Sequence, residues 1–468
     1  MDIMLIVFVL CLLMFMAYRG FSTILIAPIC GLLLVAFAAK PLLPAFTELF
    51  MVRTVGYIKS FFPIFLLGSI FGQLMGDSGF ARSIAKAIIK YFGKERALLS
   101  VCLTGSVLTY GGVSLLVVTF AVYPFAAALY KEANIPKRFL IGALVTGAFT
   151  ATLGAYPGSP QIQNIIPASF FGTNIYASPG IGLITGTVLW LCSYFYMYIR
   201  QKKAMAAGEG YGENHTNEPL NLDESKPSIK AAYAIIPLVA VLAINFYMGR
   251  IMSWDATLLD PYKAMKLPLV AGAVKNVSSS WATIVALTVG SMLTLLMGWR
   301  YFANGWSGVL KSLNTGANGA LLAIMNTAIL VGFGSLMATS AGFKGILDGL
   351  MSIKIGETPL WSMAVASNVL AGLTGSASGG ISIALDLMGT QWLAWANQSG
   401  VPLDIMTRVA AIASGGLSLT PHNGALITMF VVCGLSHKTS YVDVAIISIF
   451  KGSASFFAII LYTLFGNF

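Results

Sequence analysis

Residues 97–130 read ALLSVCLTGSVLTYGGVSLLVVTFAVYPFAAALY, 34 residues without one Asp, Glu, Lys or Arg and interrupted in the middle by Tyr110-Gly111-Gly112. A crossing helix needs about 20 apolar residues, so the run is too long for one crossing and too short for two with a loop between them. Both flanks are basic, with Arg82, Lys86, Lys90, Lys94 and Arg96 before it and Lys131, Lys137 and Arg138 after it. Lys and Arg gather in the cytoplasmic loops of membrane proteins. With both ends held there, the segment enters the membrane and turns back as a re-entrant helical hairpin.

A second run, from Thr358 to Ala396, has the same design around the small-residue tip Thr374-Gly375-Ser376-Ala377-Ser378-Gly379-Gly380. Its flanks carry Lys344, Lys354 and Arg408, offset by Asp348, Glu357 and Asp404, so this hairpin is expected to open to the outer side. The two runs match in sequence. Leu103-Thr104-Gly105-Ser106 and Gly111-Gly112-Val113-Ser114 return as Leu373-Thr374-Gly375-Ser376 and Gly379-Gly380-Ile381-Ser382. Upstream, Gly72-Gln73-Leu74-Met75 returns as Gly334-Ser335-Leu336-Met337, and downstream Ile135-Pro136 returns as Val401-Pro402. Echoes in one order point to an internal duplication.

Composition agrees. Of 468 residues 57% are hydrophobic and only 10% charged, with a mean hydropathy of +0.82. A soluble domain carries about 25% charged residues, so the chain reads as an all-α polytopic membrane protein. A soluble enzyme, a disulfide scaffold and a nucleic-acid binder are demoted together. The net charge of +11 is the positive-inside bias of cytoplasmic loops. The five cysteines sit in apolar runs with no metal spacing, and no cofactor motif is present. Residues 1–18 lack a basic n-region and read as a first span.

Further apolar runs lie at about 2–18, 21–39, 56–76, 139–176, 179–199, 231–249, 278–298, 317–337, 405–435 and 441–466. The one long hydrophilic stretch, 200–230, begins Arg200-Gln201-Lys202-Lys203 and reads as a cytoplasmic linker. Residues 1–199 and 231–468 then form two inverted-topology repeats, each of five transmembrane helices plus one re-entrant hairpin, with both termini outside.

After each hairpin comes a helix that the sequence breaks, at Gly154-Ala155-Tyr156-Pro157-Gly158-Ser159-Pro160-Gln161 and at Gly415-Gly416-Leu417-Ser418-Leu419-Thr420-Pro421-His422-Asn423. Pro removes backbone donors, and irregular backbone at membrane depth is tolerated only in protein or against a polar cavity. Half-helix N-termini suit anions and carbonyl ends suit small cations. The expected site is lined by Thr109, Gly111, Gly112, Ser114, Thr374, Ser376, Ser378, Gly379 and Ser382 from the tips, and by Tyr156, Ser159, Gln161, Asn164, Thr420, His422 and Asn423 from the breaks.

Asp386 is the only charged residue between Thr358 and Leu403, and an intramembrane carboxylate is a candidate proton or cation carrier. His422 is a second candidate for coupling the driving ion. Asn318, Asn326 and Asn368 read as interhelical hydrogen-bonding amides. Ser78, in Gly76-Asp77-Ser78-Gly79, reads as the N-cap of a basic amphipathic helix from Ala81 to Phe92, not as an intramembrane nucleophile. No HExxH, Walker A or GxSxG occurs, so an enzyme or an ATP-driven pump lacks support.

Tyr110-Gly111-Gly112-Val113-Ser114 with Tyr123-Pro124, Tyr156-Pro157-Gly158-Ser159-Pro160, Gly375-Ser376-Ala377-Ser378-Gly379-Gly380 and Thr420-Pro421-His422-Asn423-Gly424 resemble the gluconate permease (GntP) family of the ion transporter superfamily. The likeness covers roughly 56–200 and 317–460 and, within the family, is closer to the hydroxybutyrate-type permeases than to the sugar-acid ones. It implies a symporter of the cell (inner) membrane, proton-coupled, that takes up a small organic anion such as gluconate or a short hydroxy acid. It also implies a homodimer in lipid and an elevator-like step. Na⁺ coupling stays open, and a passive anion channel is the competing class.

Overall fold

The computed structural model describes residues 2–213, 215–218 and 229–468. Among these, all regular structure is helical. Six helices are long and apolar enough to cross a membrane: Leu42–Asp77, Pro179–Ala206, Ala231–Ile251, Ser278–Tyr301, Trp306–Met337 and His437–Phe465. Asp2–Tyr18 and Thr23–Phe37 are shorter apolar helices. The chain is therefore a polytopic all-α protein.

Two of these helices begin earlier than their apolar runs. Leu42–Asp77 includes Arg53 and Lys59, and Trp306–Met337 includes Lys311. All three charged residues lie on exposed faces, and Arg53 is paired with Asp386, so the charges that end an apolar run do not end the helix. The two long helices pack along each other, flanked by Thr23–Phe37 and Ser278–Gly298.

Beside this layer lie the two predicted hairpins. Ala97–Tyr110 and Leu115–Glu132 pack against each other, as do Leu360–Thr374 and Ala377–Ser399. The open ends of each pair lie together. Lys94 Nζ is 3.6 Å from Glu132 Oε1 in the first, and Trp395 Nε1 donates to the Glu357 carbonyl at 3.0 Å in the second. Each chain segment thus returns to the level at which it started.

The broken helices cross between the hairpins. The first is Leu140–Ala148 with Ala151–Gly154, then a turn, then Ile162–Phe171; the second is Leu403–Gly415, a turn, then Gly424–Cys433. Each second half-helix packs against the other half of the chain: Ile162–Phe171 on Leu403–Gly415 and Ala377–Ser399, and Gly424–Cys433 on Leu115–Glu132 and Leu140–Ala148. Lipid tails are as apolar as leucine, so close backbone approach at small residues replaces the hydrophobic drive. Gly147 meets the Cys102 carbonyl, Gly154 the Ala411 carbonyl, and Gly380 the backbone of Leu370 and Ala371.

Ser78 is not the cap expected of it. It ends Leu42–Asp77 with its hydroxyl buried and unpartnered, and the start of Phe80–Phe92 is held by Gly79 in a left-handed conformation. Helix Pro179–Ala206 continues into the stretch read as linker. Residues 214 and 219–228 of that stretch lie outside the described residues. The chain beyond the helix is strapped down: Arg138 grips Glu209 at 2.6 and 2.8 Å, Lys137 Nζ holds Glu218 at 2.8 Å, and Asn217 donates to the Val431 carbonyl at 2.7 Å. Burial raises the Glu218 carboxyl, but hydrogen bonds from Lys137 and Tyr211 outweigh it and leave the group below the usual carboxylate range.

A side chain at Gly380 has no room between the hairpin arms. Gly380→Ala is expected to cost about 1–3 kcal/mol. Gly56→Ala, where an added methyl meets nothing within 4 Å, is expected to be neutral or to stabilise by up to about 1 kcal/mol. Thermal unfolding of detergent-purified protein checks both; equal midpoints for the two variants contradict the closely packed arms.

Candidate functional site

Each hairpin tip is built by a glycine with a positive φ and a serine that caps the second arm. In the first, Gly112 has φ +97° and Ser114 Oγ accepts from Val117 N at 3.5 Å. In the second, Gly375 has φ +60° and Ser376 Oγ accepts from Gly379 N at 3.0 Å. Left-handed backbone suits residues without a Cβ, so the chain can reverse here and almost nowhere else in these runs.

Each tip is then tied to the break that comes after it, and the tie has the same form twice. Gln161, at the start of Ile162–Phe171, donates from Nε2 to the Thr109 carbonyl at 2.8 Å. Asn423, at the start of Gly424–Cys433, donates from Nδ2 to the Gly375 carbonyl at 2.9 Å and accepts from Leu426 N at 2.8 Å. A side-chain amide suits this place because it donates to one backbone segment and accepts from another. Tyr110 adds a bond to the Pro157 carbonyl at 2.8 Å, and His422 Nε2 lies 3.3 Å from the Leu373 carbonyl and 3.4 Å from Thr420 Oγ1. Gly111 packs against Leu238, and Gly112 against Pro160.

Of the remaining expected residues, Ser159 and Asn164 bond the backbone around the first break. Thr374, Ser378, Ser382 and Tyr156 bond chiefly within their own helices or to side chains, and the Thr109 hydroxyl is buried without a partner. Ser159 Oγ donates to the Thr152 carbonyl at 2.7 Å, and Asn164 Nδ2 to the Ser159 carbonyl at 3.1 Å. Thr374 Oγ1 donates to the Leu370 carbonyl at 2.8 Å, and Ser378 Oγ pairs with Thr327 Oγ1 at 3.3 Å. Ser382 bonds back to the Ser378 carbonyl. Gly379 packs against Leu330, and Tyr156 lies edge-on to Tyr110 with its hydroxyl 3.4 Å from Thr187 Oγ1. The tips and breaks therefore come together as two modules, one per half of the chain.

Arg408 joins the modules. It is 1% exposed and sits on Leu403–Gly415, yet every bond it makes reaches the first half. Its guanidinium donates to the carbonyls of Ala177 (2.9 Å), Ile175 (2.8 Å), Ala155 (3.2 Å) and Gly154 (3.3 Å) and to Asn164 Oδ1 (3.0 Å). A planar fork reaches five acceptors from Nε, Nη1 and Nη2 together, a task the point charge of lysine cannot perform. Counted from the sequence, Arg408 is only a flanking charge; the signal that sets it apart is its place inside an otherwise apolar helix.

Asp386 lies elsewhere. It is ten residues past Ser376, about 15 Å along the helix, and its Oδ1 accepts from Arg53 Nη1 at 2.9 Å. The ion pair links the second hairpin to Leu42–Asp77. His437, outside the expected set, bonds the Pro421 carbonyl at 2.9 Å and so supports the second break. Among the described residues no three His, Cys, Asp or Glu side chains gather to hold a metal. A surface hollow of about 640 Å³ lies at the linker strap, lined by residues such as Lys137, Tyr211 and Thr439, away from the breaks.

Long apolar helices and paired half-helices define a polytopic membrane protein. The model of the GntP family permeases matches residues 1–265, and the chain belongs to that family. A Bacillus subtilis (strain 168) protein described as the uncharacterized transporter YxjC is 42% identical, each chain covered in full. An uncharacterized transporter of Haemophilus influenzae is 23% identical over 70% of this chain and 68% of its own. A gluconate permease of Bacillus licheniformis is 33% identical over 26% of each chain.

Arg408→Lys leaves at least two of the five buried acceptors unpaired, at about 1–3 kcal/mol each. The expected result is a clearly lower unfolding midpoint with transport lost in parallel. A variant as stable as the parent contradicts the stapling role.

Proposed function

We propose that the chain is a secondary active transporter for a small organic anion, such as gluconate or a short hydroxy acid, coupled to protons. The doubled tie carries the reading: an amide at the start of each second half-helix, Gln161 and Asn423, bonded to a carbonyl of the neighbouring hairpin tip. In this reading the two half-helix N-termini and the two capped tips face one centre, where positive helix ends favour a carboxylate. The likeness to the gluconate permease supports the substrate class.

In this reading the halves are inverted repeats. Each runs through three helices, an amphipathic helix, a hairpin, a broken helix and a long last helix, in that order. Opposite insertion of the two halves leaves one tip facing each side of the membrane, as alternating access requires. The hairpins and broken helices form the moving part, and the Leu42–Asp77 and Trp306–Met337 pair forms the frame. The Arg53–Asp386 ion pair is a contact between frame and moving part, one that a translating step breaks and remakes.

Uptake into proteoliposomes tests this. With a one-unit pH gradient, acid outside, one proton per anion supports up to about ten-fold accumulation, since a pH unit is about 1.4 kcal/mol. Labelled gluconate and 3-hydroxybutyrate are offered in turn. Accumulation and counterflow of at least one are expected; entry that stops at equal concentrations, without counterflow, contradicts active transport.

A further inference from the structure

Lys451 is charged in sequence, central in position and takes no part in the ties between tips and breaks. It lies in the last helix, His437–Phe465, is 2% exposed, and its Nζ has no hydrogen-bond partner among the described residues. Its place is the crossing of the broken helices. A methyl group built on Gly415 would stand 3.5 Å from Lys451 Nζ and 3.9 Å from Leu153 Cδ2, the last of these on the first broken helix. One residue on, Gly416 is crowded by the Asn368 side chain, whose Oδ1 is also buried and unpartnered. Ser448 Oγ holds the Gly416 carbonyl at 3.0 Å, and Ser455 Oγ accepts from Asn368 Nδ2 at 3.0 Å. Residues 448, 451, 452 and 455 share one helix face at i, i+3, i+4 and i+7, so this face of the last helix lies against the second break.

The elements packed on the last helix bring few charges. Leu140–Ala148 and Leu360–Thr374 carry no titratable group. Leu403–Gly415 brings Asp404 and Arg408, the latter bonded to five acceptors of the first half. Pro179–Ala206 brings Cys192, Tyr194, Tyr196, Tyr198, Arg200, Lys202 and Lys203, and the turn Lys137–Phe139 brings Lys137 and Arg138. On the helix itself stand His437, Lys438, Tyr441, Asp443 and Tyr462. Asp443, two turns before Lys451, is bonded to Arg200 at 3.0 Å and to Tyr196 at 2.9 Å. None of these reaches the Lys451 amine.

We propose that Lys451 is the proton carrier of the transport cycle, protonated with the anion bound and neutral without it. The assignment rests on the transporter reading. An ammonium with no acceptor in a low-dielectric interior costs several kcal/mol, whereas a neutral amine costs far less, so the closed arrangement fits the neutral form. A carboxylate bound at the tips and breaks supplies the missing negative charge and favours the ammonium. Anion binding and protonation then promote each other equally, as linkage demands. In each cycle Nζ takes one proton from water on the entry side, becoming an ammonium as the anion binds. It returns that proton to water on the exit side as the anion leaves. One anion and one proton cross together. The hairpin arm Leu360–Thr374 brings a buried acceptor without a partner, Asn368 Oδ1, against Gly416 and Gly452, the latter next to Lys451 on the same helix.

The test compares wild type, Lys451→Met and the exposed same-helix control Ser453→Ala in proteoliposomes loaded with a fluorescent pH indicator. The probe is whichever of gluconate and 3-hydroxybutyrate the wild type accumulates. Expected for wild type and Ser453→Ala are acid-driven accumulation, internal acidification that accompanies anion entry, and exchange that varies between pH 5.5 and 8.5. Expected for Lys451→Met are at least a ten-fold loss of accumulation, no acidification, and any remaining exchange indifferent to pH. Acid-driven accumulation in Lys451→Met equal to wild type overturns the assignment alone. A wild type that moves neither anion under any gradient overturns the transporter reading and the assignment with it. Should Lys451→Met fail to purify, calorimetry of anion binding to wild type in buffers of different ionisation enthalpy decides. Uptake of about one proton per anion supports the carrier, and no uptake overturns it.

Discussion

The structure depends on one obligation: backbone that leaves the helix inside a membrane must still find every hydrogen bond. Carbonyls are left without helical partners at Gly154 and Ala155 of the first break and Ile175 and Ala177 of the loop after Ile162–Phe171, and, in the second half, at Gly416, Ser418, Leu419 and Pro421 of the second break. Arg408 bonds all four of the first set, with Ile175 shared with the Gly158 N–H. Ser448, Asn423, Tyr441 and His437 divide the second set among them. The hairpins, the crossing of the half-helices and the close glycine contacts hold these donors in place. A polar centre arises as a consequence, because helix ends that are not continued still carry their partial charges.

The two halves share a plan and divide the chemistry unequally. Gln161 and Asn423 do the same work in each, as do Ser114 and Ser376. Charge is another matter: Arg408, Lys451, His422 and Asp386 all belong to the second half. The first half contributes carbonyls that Arg408 of the second half addresses, and the first half's Arg53 in turn pairs with Asp386.

The hairpins and breaks are legible in the sequence because glycine and proline act locally. A Gly-Gly pair or a Pro-Gly-Ser-Pro run interrupts an apolar stretch wherever it falls, and its reading needs no partner. The expected lining residues fall at the tips and breaks by the same logic, since they lie next to those interruptions. Single charges are not legible, because their meaning is set by what faces them. Asp386 stands out as a lone carboxylate, yet its partner Arg53 is 333 residues away on a helix whose start is masked by charges. Arg408 passes as a loop charge and Lys451 as an interruption of the last span. Ser78 misleads for the opposite reason: a serine before a helix suggests a cap, but the adjacent Gly79 takes the left-handed turn and leaves the hydroxyl buried.

Opposite insertion of the two halves is read most directly by cysteine accessibility. Lys90→Cys on Phe80–Phe92 and Gly349→Cys on Ala341–Met351 occupy equivalent exposed amphipathic helices. Each is placed in a chain whose exposed Cys11 and Cys192 have been replaced. In intact cells, a membrane-impermeant maleimide is expected to label the thiol of the Gly349→Cys variant, and to reach that of the Lys90→Cys variant only after permeabilisation. Labelling of both from the same side would contradict the inverted pair and the centre built upon it.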